Sequence, residues 1–291
     1  MKTLFLTPGP ITWASARMRA YWPARYIPGS TVMAWDGQAG IPSGYDNYIF
    51  VKRADADIMR QIRETGARVY YDVCDPTWWW SPAPVRNVIA NVDGVVCSNQ
   101  ALANDFIEWS DWYTTPIVIP DRLELEHFPK RRQHEPVDVV RFVWFGAHQN
   151  RIAVFGGLVH LERLAANGHN IALTICDDRP DIVWSDLSSM FPIYYVRWRL
   201  DQENEILASH DVAYLPPYPG EWGRVKSNNR QLTAWACGLP ALTDERYPAF
   251  ERIMSWTTRT GIAGHGLDIV LDDGDVSRSA AQWISILGAQ L

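Results

Sequence analysis

The sequence predicts an α/β protein built from two doubly wound, Rossmann-like domains. The chain has 291 residues, which is the length of about two domains. Short β-rich runs alternate with stretches of helical period along both halves of the chain. A proline-rich break between residues 120 and 136 separates the two halves. In parallel sheets of this class, ligands bind at the carboxyl ends of the strands, so we expect the functional residues there.

The predicted strands are short runs of β-branched and aromatic residues, six in the first half of the chain and five in the second. They are Leu4–Thr7, Val32–Trp35, Tyr48–Val51, Val69–Val73, Gly94–Cys97, Ile117–Ile119, Phe142–Phe145, Ile171–Ile175, Tyr194–Val196, Val212–Leu215 and Ala241–Thr243.

The segments between the predicted strands have apolar residues at the spacing of α-helices. The helices predicted from apolar spacing are Asp57–Thr65, Gln100–Trp109 after the candidate caps Ser98 and Asn99, a leucine face at residues 158, 161 and 164, a helix capped by Asp201, a face from Leu232 to Leu239, and an amphipathic tail over residues 277–291. We therefore predict a first domain over residues 1–120, a linker over 121–136 and a second domain over 137–275. The terminal helix, 276–291, could cross back to the first domain.

Composition and charge exclude several classes of protein. Apolar residues make up 47% and charged residues 21% of the chain, as in ordinary globular proteins. The 27 basic residues are outnumbered by 33 acidic ones, which argues against a general nucleic-acid binder but leaves room for a local basic groove. No apolar run reaches the ~18–20 residues of a membrane span, and the N-terminus reaches Pro8 too soon for a signal peptide. We therefore expect a soluble, cytoplasmic protein, a monomer or a homodimer.

Well-known catalytic motifs are missing from the sequence. It has no Walker A loop, no dinucleotide-binding glycine motif after the first strand, no nucleophile elbow of α/β-hydrolases and no H-E-x-x-H pair. The D-x-D pattern at residues 55–57 precedes a helix, so it favours a helix cap over a metal ligand. We therefore predict no metal site.

The segment from Asp211 to Thr243 carries the most chemical information. Its pattern is strand, loop, helix, turn and strand, and Lys226-Ser227-Asn228-Asn229-Arg230 opens the helix with Ser227 as the predicted N-cap. A helix N-terminus flanked by Lys226 and Arg230 suits a phosphate or diphosphate. Only four lysines occur in the chain, which makes Lys226 informative. The alternative is a capped surface helix with two solvated basic residues.

This segment resembles the donor-binding region of GT-B glycosyltransferases, especially the retaining family 4 and its relatives with a Lys-Ser-x-x-Arg motif. The matching residues are Leu215-Pro216-Pro217, Glu221-Trp222-Gly223, Lys226-Ser227 with Arg230, and Ala236-Cys237-Gly238-Leu239-Pro240. Further matches are Ser98-Asn99, Ile119–Glu124, Phe128-Pro129 and Phe145-Gly146, so the resemblance covers most of the chain in order.

The sequence also departs from the family pattern. Glu221 matches the first of two characteristic glutamates, but the second position is Thr233 or Asn229, and no glutamate lies between Trp222 and Gly238. The glycine pair after the first strand is reduced to Gly9. Donor base, donor sugar and stereochemistry therefore stay open.

The resemblance implies that the second domain binds a nucleotide sugar, most simply a UDP- or GDP-sugar, and transfers its hexosyl or pentosyl group without a metal or other cofactor. The residues it implies for donor binding are Gly146, Arg151, Lys226, Ser227, Asn228, Asn229 and Arg230. For Arg151 the alternative is the start of a surface helix, and for Gly146 it is a simple turn.

The first domain would then receive the acceptor. We predict Asp75 and Glu221 as catalytic residues. The predicted acceptor-side residues are Gly9, Arg17, Arg19, Asp72, Trp78 and Trp79. Arg17 and Arg19 are two positions apart, so a regular helix would direct one toward a phosphate and the other toward solvent. The alternative for the Asp and Trp residues is a turn with aromatic rings packed beneath a loop.

The expected acceptor is a hydroxyl group on a glycan, a small molecule or a hydroxymethylated pyrimidine in DNA. Two alternatives belong to other functional classes. The chain could be a non-catalytic GT-B-like module that binds a nucleotide or a partner, or another nucleotide-sugar enzyme such as an epimerase.

Overall fold

The computed structural model describes residues 1–111, 115–183, 189–243 and 246–288. The chain divides into two compact units. The first comprises Met1–Glu124, Arg224–Ser227 and Asp275–Leu291, and the second comprises Leu125–Gly223 and Asn228–Gly274. These bounds differ from the domain limits drawn from the sequence, because residues 121–124 and 224–227 belong to the first unit.

The first unit contains a sheet of six parallel strands in its described part, in the order β2-β1-β3-β4-β5-β6. The strands are β1 Thr3–Thr7, β2 Ser30–Ala34, β3 Asn47–Val51, β4 Arg68–Val73, β5 Gly94–Cys97 and β6 Ile117–Val118. The central strands β1 and β3 are buried along their whole length, whereas the edge strand β2 is half-exposed. Continuous apolar runs are what strands covered on both faces require.

The complete helices of the first unit lie in its first and last chain segments. They are α1 Ala14–Ala16, α2 Trp22–Ala24, α3 Ala56–Glu64, α4 Pro82–Ile89, α5 Gln100–Ser110 and α12 Val276–Gly288, with a π-helical turn at Arg17–Tyr21 between α1 and α2. The side chain of Asp55 caps α3 by accepting from the amides of Asp57 and Ile58, as the sequence predicts for this D-x-D. Asn99 caps α5 through the amide of Leu102.

The second unit contains a parallel sheet of five described strands, in the order β11-β10-β7-β8-β9. The strands are β7 Val140–Phe145, β8 Ile171–Asp177, β9 Ile193–Arg197, β10 Val212–Tyr214 and β11 Ala241–Leu242, and the helices are α6 Ile152–Ala166, α7 Glu203–Ala208, α8 Glu221–Val225, α9 Asn229–Ala236, α10 Tyr247–Ile253 and α11 Trp256–Asp273. Helix α8 begins in the second unit and ends in the first.

All eleven strands predicted from the sequence are present, and the α/β class with two doubly wound sheets is confirmed. Two predicted helix caps are wrong. Asp201 lies in a 3₁₀ turn, Leu200–Gln202, and Gln202 is the N-cap of α7. Ser227 is not the N-cap of α9, because that position belongs to Asn228, and the Ser227 hydroxyl bonds to Asp121 instead. Of the predicted tail helix, residues 289–291 lie outside the described residues.

The strand orders locate a switch point in each sheet, where successive connections leave in opposite directions. In the first sheet it lies between β1 and β3, and in the second between β7 and β10. Ligands of doubly wound proteins bind beyond the carboxyl ends of the strands at such points. The residues that follow these four strands are therefore the ones to consider for function.

Candidate functional site

A carboxylate held between two lysines lies at the carboxyl edge of the first sheet. Asp75, just beyond β4, is 5% exposed. Lys226 Nζ donates to its Oδ1 at 2.6 Å, and Lys52 Nζ lies 2.5 Å from its Oδ2. Burial works to raise the pKa of Asp75, but the two lysines outweigh it and lower that pKa. An ionised carboxylate with a lowered pKa is a weak proton acceptor, so this geometry favours Asp75 as a charge partner over a general base.

Sequence reasoning missed Lys52, which directly follows β3 at the switch point of the first sheet. The sequence contained a signal for it, because Lys52 is a lysine directly after a predicted strand and its partner Asp75 was itself predicted as a site residue. The backbone conformation of Lys52 could not be predicted from the sequence. Lys52 has φ +63°, and the amide of Arg53 donates to the carbonyl of Val51 at 2.6 Å. Together these features define a γ-turn of the rare, strained kind centred on Lys52.

Arg19 and Asp72, both predicted on the acceptor side, bind each other inside the first unit. The Arg19 guanidinium contacts Asp72 through Nη2 at 2.7 Å and Nε at 3.0 Å, and its Nη1 donates to the carbonyl of Ile119 and to Asp121. Arg19 is 2% exposed and Asp72 is fully buried. Burial works to lower the pKa of Arg19, but Asp72 and Asp121 raise it, so the guanidinium stays charged. Both groups are satisfied internally and fix the loops at this edge, and their acceptor-side assignment stays a prediction.

Asp121 connects this ion pair to the segment that precedes α9. Its Oδ2 accepts from the Ser227 hydroxyl at 2.6 Å, while Oδ1 faces Arg19 at 3.2 Å. Lys226 and Ser227, predicted to bind the donor, therefore both contact carboxylates of the first unit.

The other acceptor-side predictions divide into buried and exposed residues. Arg17 is 3% exposed and donates to the carbonyls of Ile11 and Thr12. The expectation that either Arg17 or Arg19 reaches solvent is wrong, because the π-helical turn carries both into the interior. Gly9 is buried against the ring of Trp13, where a Cβ would come within 2.6 Å of it.

The two predicted tryptophans differ in accessibility. Trp78 is 1% exposed, and its ring packs against Phe106 and Trp109. Its ring is covered by the core, and its acceptor-side assignment stays a prediction. Trp79 is 38% exposed and donates its indole N–H to Asp105 at 2.8 Å. Of the pair, Trp79 keeps a ring edge accessible to a ligand.

A half-buried guanidinium lies at the carboxyl edge of the second sheet, near the switch point between β7 and β10. Arg230, in the first turn of α9, has its Nη1 buried with no hydrogen-bond partner among the residues that the structure describes. A Cβ on Gly146, the residue after β7, would lie 3.6 Å from that atom. The guanidinium lies 6.0 Å from the ring centroid of Trp144. Burial alone lowers the pKa of Arg230 to about 10.

A guanidinium nitrogen that is buried without a partner, like Nη1 of Arg230, costs free energy unless an anion accompanies it. The Asn228 side chain makes no capping hydrogen bond at the N-terminus of α9, so the backbone N–H groups of the first turn reinforce the positive potential around Arg230. Asn228 is the N-cap and Asn229 the first residue of this helix. Gly146, Asn228, Asn229 and Arg230 thus lie together in the second unit, in the arrangement expected for an oxyanion site.

Arg151, also predicted to bind the donor, has a different environment. It is 5% exposed, and its guanidinium pairs with Asp177 and donates to the carbonyls of Arg179 and Ile182. These partners occupy its donors, so Arg151 anchors the loop after β8, and its donor-binding assignment stays a prediction.

Glu221 is exposed at the first position of α8, in the loop region that follows β10. Thr233, one of the two positions for the second family glutamate, is 2% exposed, and its hydroxyl donates to the carbonyl of Asn229 at 3.0 Å. The Thr233 hydroxyl is therefore satisfied within α9, and the residue offers no carboxylate to a ligand.

Within the described ranges, no group of three or more His, Cys, Asp or Glu side chains is placed to hold a metal ion. None of the helices in that part of the chain is both long enough and apolar enough to span a bilayer.

No protein-family model matches the sequence, and no curated protein matches it. Solved structures do match. The Anabaena protein HepE in complex with UDP and glucose is 13% identical, with a TM-score of 0.72 and full coverage of both chains. An α-glucosyltransferase in complex with UDP-glucose and DNA containing an abasic site is 10% identical, with a TM-score of 0.66 and 99% coverage of both chains. Trehalose-6-phosphate synthase OtsA is 13% identical, with a TM-score of 0.58, and covers 84% of this chain and 72% of its own. These similarities show that the chain has the GT-B fold.

Proposed function

We propose that this protein is a glycosyltransferase that moves a sugar from a nucleotide-sugar donor to a hydroxyl acceptor. The observation that carries this proposal is the Arg230 Nη1, which is buried without a hydrogen-bond partner among the described residues and lies beside Gly146 at the N-terminus of α9. A donor diphosphate supplies the negative charge that this site lacks. As the bond between sugar and diphosphate breaks, charge grows on the leaving phosphate, and a preorganised cation stabilises it.

The donor is best supported as a UDP-sugar. The HepE structures contain UDP or UDP-glucose, and the α-glucosyltransferase contains UDP-glucose. The fold is shared, and the anion site lies at the switch point where the fold places a nucleotide. Arg230 provides the positive charge that a metal supplies in other transferases, so we propose a metal-independent reaction. A GDP-sugar is the alternative donor.

Binding of UDP to matched variants tests the donor site. We expect Arg230→Met to weaken UDP binding by about tenfold to a hundredfold, the effect of losing one charge-assisted contact. Arg163→Met is the control, because Arg163 is an exposed arginine of the same unit that lies over the ring of Tyr247. Calorimetric titration with UDP and GDP measures both variants. Equal UDP affinity in the two variants would refute the donor site at Arg230. Tighter binding of GDP than of UDP would instead identify a GDP-sugar as the donor.

A measurement of catalytic turnover distinguishes an active transferase from a non-catalytic module that only binds the nucleotide. Neither Thr233 nor Asn229, the two positions for the second family glutamate, is a glutamate, which favours the module as the second candidate function. An active transferase releases UDP from a UDP-sugar once a hydroxyl acceptor is added, and it does so in the presence of EDTA. UDP binding without release over a panel of glycan, small-molecule and DNA acceptors would favour the module. Loss of UDP release in EDTA would contradict metal independence.

A further inference from the structure

Two of the four lysines in the chain converge on one carboxylate in the first unit. Lys52 and Lys226 contact opposite oxygens of Asp75, at 2.5 and 2.6 Å. Asp75 is almost fully buried, whereas the Lys52 and Lys226 side chains are 40% and 33% exposed. The three groups carry a net charge of +1, and both lysine side chains are partly exposed to solvent. An anion arriving from solvent therefore meets two cations and one internal carboxylate that already neutralises half of their charge.

The backbone at Lys52 is held in a conformation that lysine disfavours. Its φ of +63° places it in the left-handed region, at the centre of the γ-turn. Three hydrogen bonds maintain this turn: Lys52 N–H to the carbonyl of Asp72, Arg53 N–H to that of Val51, and the Tyr71 hydroxyl to the carbonyl of Lys52. A glycine would adopt this backbone at no cost. Strain of this kind persists where the side chain that it positions has a use.

The position of the turn indicates what that use is. Lys52 follows β3, and the switch point of the first sheet lies between β1 and β3. That is where a doubly wound sheet binds its ligand. The lysine pair lies in the first unit, whereas Arg230 of the proposed donor site lies in the second unit.

We propose that Lys52 and Lys226 form an anion-binding site of the first unit, that Asp75 is its internal counter-ion, and that the site receives a phosphoryl group of a small acceptor. Lysine ammonium groups bind phosphate as point charges with several donors each. The first unit contains fourteen basic and fourteen acidic residues, so it lacks the overall positive charge of a polyanion-binding surface. A single phosphorylated molecule fits that balance better than a nucleic acid. The acceptor assignment rests on the proposed function; the anion site does not.

Inorganic phosphate is the probe, titrated calorimetrically into the full-length protein. All measurements use the Arg230→Met background, so that phosphate bound at Arg230 does not contribute. Lys52→Gly is the decisive second change, because it removes the ammonium group and relieves the strained turn together. We expect phosphate binding in the Arg230→Met background, a loss of at least about tenfold on adding Lys52→Gly, and no decrease in melting temperature.

Asp111 offers the matched control. It is the other non-glycine residue with positive φ in the described ranges, at +50°, and it ends α5 away from the lysine pair. Asp111→Gly should relieve the same kind of backbone strain and leave phosphate affinity unchanged. Asp75→Asn, which removes the internal counter-ion, should tighten phosphate binding.

Each remaining outcome decides against part of the proposal. Unchanged phosphate affinity after Lys52→Gly, or no phosphate binding in the Arg230→Met background, overturns the anion site. If Lys52→Gly in an otherwise unaltered chain weakens UDP binding as much as Arg230→Met does, the lysines serve the donor and the acceptor assignment fails. The phosphate titration does not depend on UDP, so absence of UDP binding would refute the proposed donor without touching this site.

Discussion

The Arg19–Asp72 pair is the residue-scale feature on which the loops of the first unit depend. Both side chains are buried, and the guanidinium also bonds to Asp121 and to the backbone carbonyl of Ile119. A buried ion pair is not by itself strongly stabilising, because desolvation offsets the attraction between its charges. Removing one partner, however, leaves the other charge buried and uncompensated.

We therefore expect Arg19→Met to lower the free energy of unfolding by about 3–5 kcal/mol. The double variant Arg19→Met with Asp72→Leu removes both charges and should recover part of that loss. Chemical denaturation of the two variants and the parent chain measures the difference. A stable Arg19→Met variant that instead lost acceptor binding would show that Arg19 contacts a ligand and support its acceptor-side assignment.

At the scale of elements, one glycine sets how closely α6 packs on β10. A Cβ on Gly157 would lie 2.0 Å from the hydroxyl oxygen of Tyr214. That hydroxyl is buried and donates to the carbonyl of Val154, one turn earlier in α6, at 2.9 Å. The glycine and the tyrosine together therefore define the separation of helix and strand.

Gly157→Ala should destabilise the protein by about 1–3 kcal/mol, because overpacking outweighs the gain in helix propensity. Gly261 in α11 is the control, since a Cβ there would meet no atom within 4 Å. Gly261→Ala should stabilise by up to about 1 kcal/mol. Chemical denaturation of the two alanine variants and the parent chain measures the sign of each change in the free energy of unfolding. Stabilisation by both would mean that Tyr214 can move away and that this contact does not fix the packing.

At the scale of the whole molecule, the first unit is completed by the C-terminal end of the chain. Trp283 of α12 is 1% exposed, and its ring meets Phe5 edge to face at 5.8 Å and Tyr70 at 6.3 Å. The amide of Val276 donates to the carbonyl of Leu123 at 2.8 Å. The first and last segments therefore share one hydrophobic core, although the second unit lies between them in the sequence.

Trp283→Ala should cost about 3–5 kcal/mol of unfolding free energy through the cavity that it leaves in the first unit. Ile284→Ala, at a 40% exposed position of the same helix, should change it by less than about 0.5 kcal/mol. Hydrogen exchange locates the effect: amides of β1 and β4 should lose protection in Trp283→Ala, whereas those of β7 and β8 should keep it. Equal loss in both sheets would show that the units unfold as one.

The sequence by itself determined the α/β class and the eleven strands. Strands buried on both faces are continuous apolar runs, and this signal is local, so periodicity and turn residues are enough to find them. The same reasoning drew attention to Arg230 and Gly146, which the structure brings together. It also found Lys226, through its rarity and its place before a helix.

Only the tertiary structure decided which polar residues are used internally. Arg19, Asp72, Arg151 and Trp78 have the residue types of a ligand site, but each meets its partner from a distant part of the chain and is buried with it. The left-handed turn at Lys52 and the contacts around Ser227 likewise depend on hydrogen bonds between segments far apart in sequence. Residue type and spacing predict which groups can carry charge. Whether a charge faces solvent or a buried partner is fixed only when the long-range contacts form, because burial and pairing together set its free energy.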